Sequence, residues 1–446
     1  MKNAISIAKH KLLNQENRDI IVSFFIKAIS FIVNIYSLRI YNAYFKDNII
    51  LGLWLTIISV INWIGFFDFG IGNGLRNTLT KAIAMDDIPK IRESIASSYL
   101  IISLLSFSLL LIGVPLCMLV NWNYFFSIDA SVISPKYLSQ LMIVLFSGTV
   151  LHLLLKNIVF ILYASIKNIE AAIINFLCNF LILILIPITL MLGIEGSPLK
   201  LTFLYVFAFN FPLLIATIVV FSGRYKYAIP KINYVKWKTT RAIFRLGNIF
   251  FFLQLSLLVI NSTNDMLISY LFGNTYVVDY NAYMKIASAI SGAFLVITNP
   301  IWSHIAFYDA QGDNVKVHEL SKMIIVIALI ACLGCLALSV FYKPIFSFFY
   351  GSLQIQISSW HTILMAIYGC SLILQGAVAC IANGLNRLRV QLVVYIIGAI
   401  VKIPVTIAAR LLLSDWSIVI IVNIMIIIIY IISQSYSLWK CNRSEL

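Results

Sequence analysis

Long apolar runs recur from one end of this 446-residue chain to the other. They occupy approximately residues 20–45, 49–72, 95–120, 137–164, 170–192, 201–222, 246–272, 278–302, 323–345, 359–383, 390–413 and 417–438. A helix of about 20 apolar residues crosses the hydrocarbon core of a bilayer, so each run reads as one membrane span. Only 11% of the residues are charged, against roughly 25% in a soluble domain, so most side chains must face something other than water. Spans of this length leave room for short connections but not for a separate globular domain. The fold class that follows is an all-α membrane protein with about twelve transmembrane helices.

Charge placement orients the spans. Of the 32 lysines and arginines, 22 fall on the tails and on alternate connections, and three (Lys46, Lys136 and Lys200) fall on the opposite side. The positive-inside rule then predicts that both termini are cytoplasmic. The formal charge of +15, which in a soluble chain would suggest nucleic acid, is here assigned to the membrane face, and no nucleic-acid partner is expected. The longest basic connection separates spans six and seven. This predicts a cytoplasmic tail at 1–19, a six-helix bundle at 20–222, a basic linker at 223–245, a second six-helix bundle at 246–438 and a tail at 439–446. Such duplication is common in secondary transporters, whose substrate path runs between the halves through a central cavity. The polar leader lacks the short apolar core and cleavage site of a signal peptide and is expected to stay attached as an intracellular tail.

Polar residues inside the spans fall on single helical faces. Ser23, Lys27, Ser30, Asn34 and Ser37 share one face of the first span. Gly148, His152, Lys156 and Tyr163 do so in the fourth, and Lys285, Ser288, Gly292 and Asn299 in the eighth. The eleventh span aligns Gln391, Tyr395, Lys402, Thr406 and Arg410. The seventh carries Gln254, Asn261 and Asp265, and the tenth His361, Tyr368 and Gln375. Ionisable groups are costly in lipid and normally face a bundle interior or a wet cavity. The cations within spans are Lys27, Arg39, Lys156, Lys285, Lys343, Lys402 and Arg410, against the acids Asp68 and Asp265. Lys27, Lys156, Lys285 and Lys402 lie deepest and are the candidate substrate contacts, with structural pairing as the competing reading. Arg39, Lys343 and Arg410 lie near helix ends, where snorkelling to headgroups competes with a place on the path. Asn34 and Asn261 are candidate polar contacts. Asp265 and His152 are candidates for ion coupling or for internal pairing and packing. Asp68 shares a face with Gly65 and Gly72, so close helix contact competes with ion coupling for its role. A cationic lumen attracts anions, so the cargo is expected to be negative.

Other chemistries find no foothold. There is no phosphate-binding glycine loop, no HExxH zinc helix and no nucleophile elbow, so no catalytic residue, metal or cofactor is expected. The seven cysteines are odd in number and six lie in apolar runs. Cys332 and Cys335 form a C-x-x-C inside the apolar stretch from Ile324 to Val340, where core packing outweighs redox or metal use.

The segment Leu51-Gly52-Leu53-Trp54-Leu55-Thr56, followed by Gly65-Phe66-Phe67-Asp68-Phe69-Gly70-Ile71-Gly72-Asn73-Gly74-Leu75-Arg76-Asn77, resembles the second-helix signature of Wzx-type O-antigen and capsule flippases. These form the polysaccharide transporter branch of the superfamily that contains the multidrug and toxin extruders. Weaker echoes are Asn264 to Ser269, Asn299-Pro300-Ile301-Trp302 leading to Tyr308-Asp309, and Asn383 to Gln391; His304 and Ile305 depart from the family's small or aromatic pattern. The resemblance implies a V-shaped pair of bundles in the bacterial inner membrane. It implies movement of an undecaprenyl-diphosphate-linked oligosaccharide from the inner to the outer leaflet by alternating access, with polysaccharide polymerase and chain-length proteins as partners. The diphosphate would be the anion that the lysines anticipate. Competing readings are a cation-coupled drug or toxin exporter of the same superfamily, which would want carboxylates where this chain has Lys27, and a glycan polymerase, ligase or assembly scaffold.

Overall fold

A computed structural model describes residues 47–64, 69–126, 128–193, 196–342, 344, 358–411 and 414–444, with scattered positions between 22 and 45. The helices used below are α1 (Asn48–Ile64), α2 (Ile71–Ala84), α3 (Ile88–Leu119), α4 (Pro135–Leu155), α5 (Asn157–Ala164), α6 (Asn168–Met191) and α7 (Pro198–Ser222). They continue with α8 (Trp237–Ser262), α9 (Asn264–Phe272), α10 (Asn274–Gln311), α11 (Asn314–Ser339), α12 (Ser359–Gly384), α13 (Arg389–Ala409) and α14 (Ser417–Ser444). Among the described residues, ten helical stretches are long and apolar enough to cross a membrane, and they coincide with ten of the twelve anticipated runs. The protein is an all-helical, multi-pass membrane protein.

The chain forms two compact units, one spanning Ile21–Phe251 and the other containing Phe252–Leu446. The division falls inside α8, and the anticipated basic linker is shorter than the sequence suggested. Helix α8 already begins at Trp237, so Lys238, Arg241 and Arg245 ride on a helix, while the remainder folds into two short 3-10 turns at Lys226–Ala228 and Ile232–Tyr234. Three anticipated continuous spans are also divided. The fourth is interrupted at Lys156, the seventh at Thr263, and the second ends as α1 at Ile64 before α2 begins at Ile71.

The same turn device recurs in the two units. In the first, Asp86 (φ 51°) and Ile166 (φ 57°) adopt left-handed backbone after α2 and α5; in the second, Gly312 (φ 73°) and Asn386 (φ 56°) do so after α10 and α12. At each, the following amide donates to a carbonyl five residues back: Asp87 to Ala82, Lys167 to Leu162, Asp313 to Tyr308 and Arg387 to Ala382, at 2.8–3.0 Å. This is the Schellman closure, which satisfies carbonyls that a helix end leaves open. Two of the next helices are then capped alike, the Asp87 carboxylate accepting from Lys90 N and the Asp313 carboxylate from Lys316 N, both at 3.0 Å. Schellman ends with left-handed residues thus close helices in both units.

Within the first unit, α2 and α8 cross closely enough to require glycine. A Cβ on Gly74 would lie 2.7 Å from the carbonyl oxygen of Ile243 and 3.0 Å from the amide of Gly247. Gly70 combines a left-handed φ of 62° with the same approach to Gly247 and Phe250. The segment that carried the family resemblance is thus a helix-packing device. On its other side Ile71, Leu75 and Leu79 enter a core with Ile158, Leu162 and Leu213. Large apolar residues such as Phe107 and Leu111 on α3, or Leu329 and Leu333 on α11, remain exposed. In water this would be a liability; facing hydrocarbon it costs nothing.

Candidate functional site

The described polar stripes divide into an exposed one and several that are packed inside a unit. On α10, Lys285, Ser288 and Gly292 are exposed, Asn299 is half-buried, and the Gly292 position opens onto free space. Asn281, one turn before Lys285, extends this stripe. Its Nδ2 donates to the carboxylate of Asp265 at 2.8 Å, joining the first turn of α9 to the same patch. Sequence reasoning missed Asn281, although its spacing of four from Lys285 was the available signal. The patch assembles an ammonium, a carboxylate, an amide and a hydroxyl, groups suited to holding an anion beside sugar hydroxyls.

The eleventh-span stripe has the anticipated periodicity but turns inward. Gln391, Tyr395, Lys402 and Thr406 are all buried in α13. The tenth-span stripe on α12 meets this face, Gln375 donating to the Tyr395 hydroxyl at 2.6 Å, and also meets α8, Tyr368 donating to the Asn261 side chain at 3.3 Å. The Lys402 ammonium, on a residue with no exposed surface, donates to the carbonyl of Ile260, to Thr263 Oγ1 at 2.8 Å and to Asn264 Oδ1 at 2.6 Å. Lys402, anticipated as a substrate contact, is instead enclosed in a buried hydrogen-bond seam, which half-buried Asn261 borders through Tyr368. Periodicity identifies a shared face but not which neighbour that face meets.

The fourth-span stripe also packs within its unit. His152 stacks on Phe209, ring centroids 3.7 Å apart at an interplanar angle of 11°, and a Cβ at Gly148 would strike Val206. Lys156 is half-buried at the α4–α5 interruption, where Val159 N donates to its carbonyl at 3.0 Å. Arg410 lies exposed at the end of α13, its guanidinium 5.7 Å from the centre of the Phe272 ring. Lys27, Asn34, Arg39, Asp68 and Lys343 lie outside the described residues. Cys332 and Cys335 are buried, with thiols directed at the Cys370 and Ala366 carbonyls, in keeping with core packing.

Two of the weaker sequence echoes converge. Asp309 at the end of α10 and Arg387 after α12 line one cavity of about 630 Å³, together with His318, Glu319 and Trp439.

At the other end of the same unit, His361 Nε2 faces both Asp415 carboxylate oxygens at 3.0 and 3.1 Å, and its ring lies against Trp416 at a tilt of 31°, centroids 4.4 Å apart. Ser417 N donates to the same carboxylate at 2.7 Å. Partial burial pushes the Asp415 carboxyl upward, but the hydrogen bonds from His361 and Ser417 outweigh it and hold the group at about 2. A depressed carboxyl contributes stability above its ordinary value, and loses it as pH falls through the folded one. Asp415→Asn is therefore expected to cost about 1 kcal/mol at neutral pH, allowing for its one-third exposure. The gap between the melting curves of variant and parent in detergent should close as pH falls from about 4 toward about 2.

No family model matches the chain. A curated Salmonella typhimurium (strain LT2) protein named "Putative O-antigen transporter" is 23% identical over 370 residues, 78% of this chain and 79% of the relative. Among solved structures, a MATE protein in complex with MaD3S superposes with a TM-score of 0.78 at 14% identity, covering 96% of both chains. The chain has the fold of the MATE transporters. A Vibrio cholerae MATE transporter in its bent form gives a TM-score of 0.74 at 16% identity over 98% of each chain. A Pyrococcus furiosus transporter of the MOP superfamily gives 0.74 at 15% identity, covering 95% of this chain and 96% of its own. That structure is described as having a binding pocket of reversed polarity that suggests a different function.

Proposed function

We propose that this protein is a transporter that moves the polar head of an undecaprenyl-diphosphate-linked oligosaccharide from the inner to the outer leaflet of a bacterial inner membrane by alternating access. The observation that carries this reading is the α10 patch of half-buried Asn281 with exposed Lys285 and Ser288, in a chain similar over 78% of its length to the Salmonella typhimurium protein named "Putative O-antigen transporter". In this reading Lys285 offers its ammonium to the diphosphate, while neighbouring amides and hydroxyls exchange hydrogen bonds with sugar hydroxyls. The lipid tail stays in the bilayer, so only the head group needs a polar route. Outward movement of negative charge runs down an inside-negative potential and releases about 2.3 kcal/mol per charge per 100 mV, which supplies a driving force without a coupled ion.

The carboxylate of Asp265 on the same patch favours a second reading, cation-coupled export of a cationic compound. Vesicles containing the purified protein and a labelled diphosphate-linked oligosaccharide separate the two. Appearance of the label in the outer leaflet, accelerated by an imposed potential, is the expected result. No exposure in vesicles that do transport an organic cation would establish the second reading instead.

A further inference from the structure

The buried Lys402 ammonium sits in an unusual ligand set. Its partners are one backbone carbonyl (Ile260), one hydroxyl (Thr263) and one amide oxygen (Asn264), all neutral. Three acceptors match the three protons of an ammonium. The ligands come from the interruption between α8 and α9, where the last carbonyls of α8 lack intrahelical donors and carry the negative end of its dipole.

The surrounding bonds fix each oxygen toward the charge. The Thr263 hydroxyl proton is spent on the Val259 carbonyl at 2.7 Å, which leaves oxygen lone pairs for Lys402. Asn264 Nδ2 donates to the Tyr280 hydroxyl at 2.9 Å, so its Oδ1 points the other way. That oxygen also accepts from Asn423 Nδ2 at 2.9 Å. A broken helix offering carbonyl, hydroxyl and amide oxygens is the arrangement by which membrane transporters hold monovalent cations.

We propose that Lys402 is a tethered cation: its ammonium fills a monovalent-cation site built into the α8–α9 interruption, and removing the side chain exposes that site to a free cation. The unit thus carries its own positive charge where a free ion would otherwise be required. This inference does not rest on the flippase reading, because binding at this position is measured without cargo or transport.

The test compares thermal unfolding of the purified full-length parent, Lys402→Ala and Lys402→Met in sodium, potassium, methylammonium and choline chloride at equal ionic strength. The parent should respond alike to all four salts. Lys402→Ala should melt lower in choline and recover saturably in methylammonium or sodium, by roughly 2–4 °C at ten times the dissociation constant. Lys402→Met, which fills the space with an apolar chain, should not recover. Adding Asn264→Asp to Lys402→Ala should tighten cation binding, since a carboxylate can accept from Asn423 and from the Tyr280 hydroxyl in place of the amide. If Lys402→Ala fails to assemble in choline, its rescue by methylammonium throughout purification supports the site, and failure in every salt overturns it. A cation-independent Lys402→Ala, or a parent that responds as strongly as the variant, would also overturn it.

Discussion

Gly74→Leu is expected to eliminate folded protein from the membrane, whereas Gly52→Ala should be silent. Both glycines lie in the stretch that resembles the flippase signature, yet their surroundings differ. Position 74 faces the backbone of α8, with Ile243 O at 2.7 Å and Gly247 N at 3.0 Å from a Cβ; position 52 has nothing within 4 Å. Overpacking against side chains costs about 1–3 kcal/mol. Here the obstructing atoms are main chain and cannot rotate away, so α2 and α8 would have to separate. That exposes the core of Ile71, Leu75 and Ile243, and the expected loss is at or above about 3 kcal/mol, a large part of a typical folding free energy. At Gly52 an added methyl meets open space and gains helix propensity. Membrane-inserted protein, measured by fluorescence-detected size-exclusion chromatography of tagged variants, checks both. Equal recovery of the two would mean that α2 and α8 do not depend on this close approach.

Lys285→Glu is expected to lower outer-leaflet exposure of the lipid-linked oligosaccharide by roughly 100-fold, with unchanged protein level. Lys285→Arg should retain most activity. The residue is exposed on α10, so the substitution removes no core packing, and the effect falls on the charge offered to a ligand. Reversing that charge places a carboxylate against a diphosphate near the Asp265 carboxylate, where arginine preserves the attraction. The rival reading predicts the opposite sign: an exporter of cations would be unaffected or improved by an added acid. Initial rates in vesicles, taken with both substrates, decide between them. A Lys285→Glu protein that flips at the parental rate would exclude this lysine from the cargo path.

The legible part of the molecule follows from one solvent requirement. Lipid cannot satisfy a backbone amide or hydrate a charge, so every spanning segment must be apolar and helical, and that is written locally in each run. The Asp87 and Asp313 caps are equally local. The same locality explains the misreadings. Lys156 and Thr263 interrupt helices that no proline or glycine at those positions marks, and at Thr263 the interruption is met by a partner far along the chain, Lys402 at the Ile260 carbonyl.

What the sequence determined by itself was the membrane class, the approximate helix register and the existence of single polar faces. Tertiary structure alone decided which of those faces meets a neighbouring helix. Lys285 and Lys402 lie on stripes of the same period, yet one is exposed and the other is enclosed by three oxygens. Periodicity is a property of one helix, whereas burial is a property of two. A lysine can serve a passing anion or complete a broken helix, and only the atoms contributed by other helices distinguish those fates.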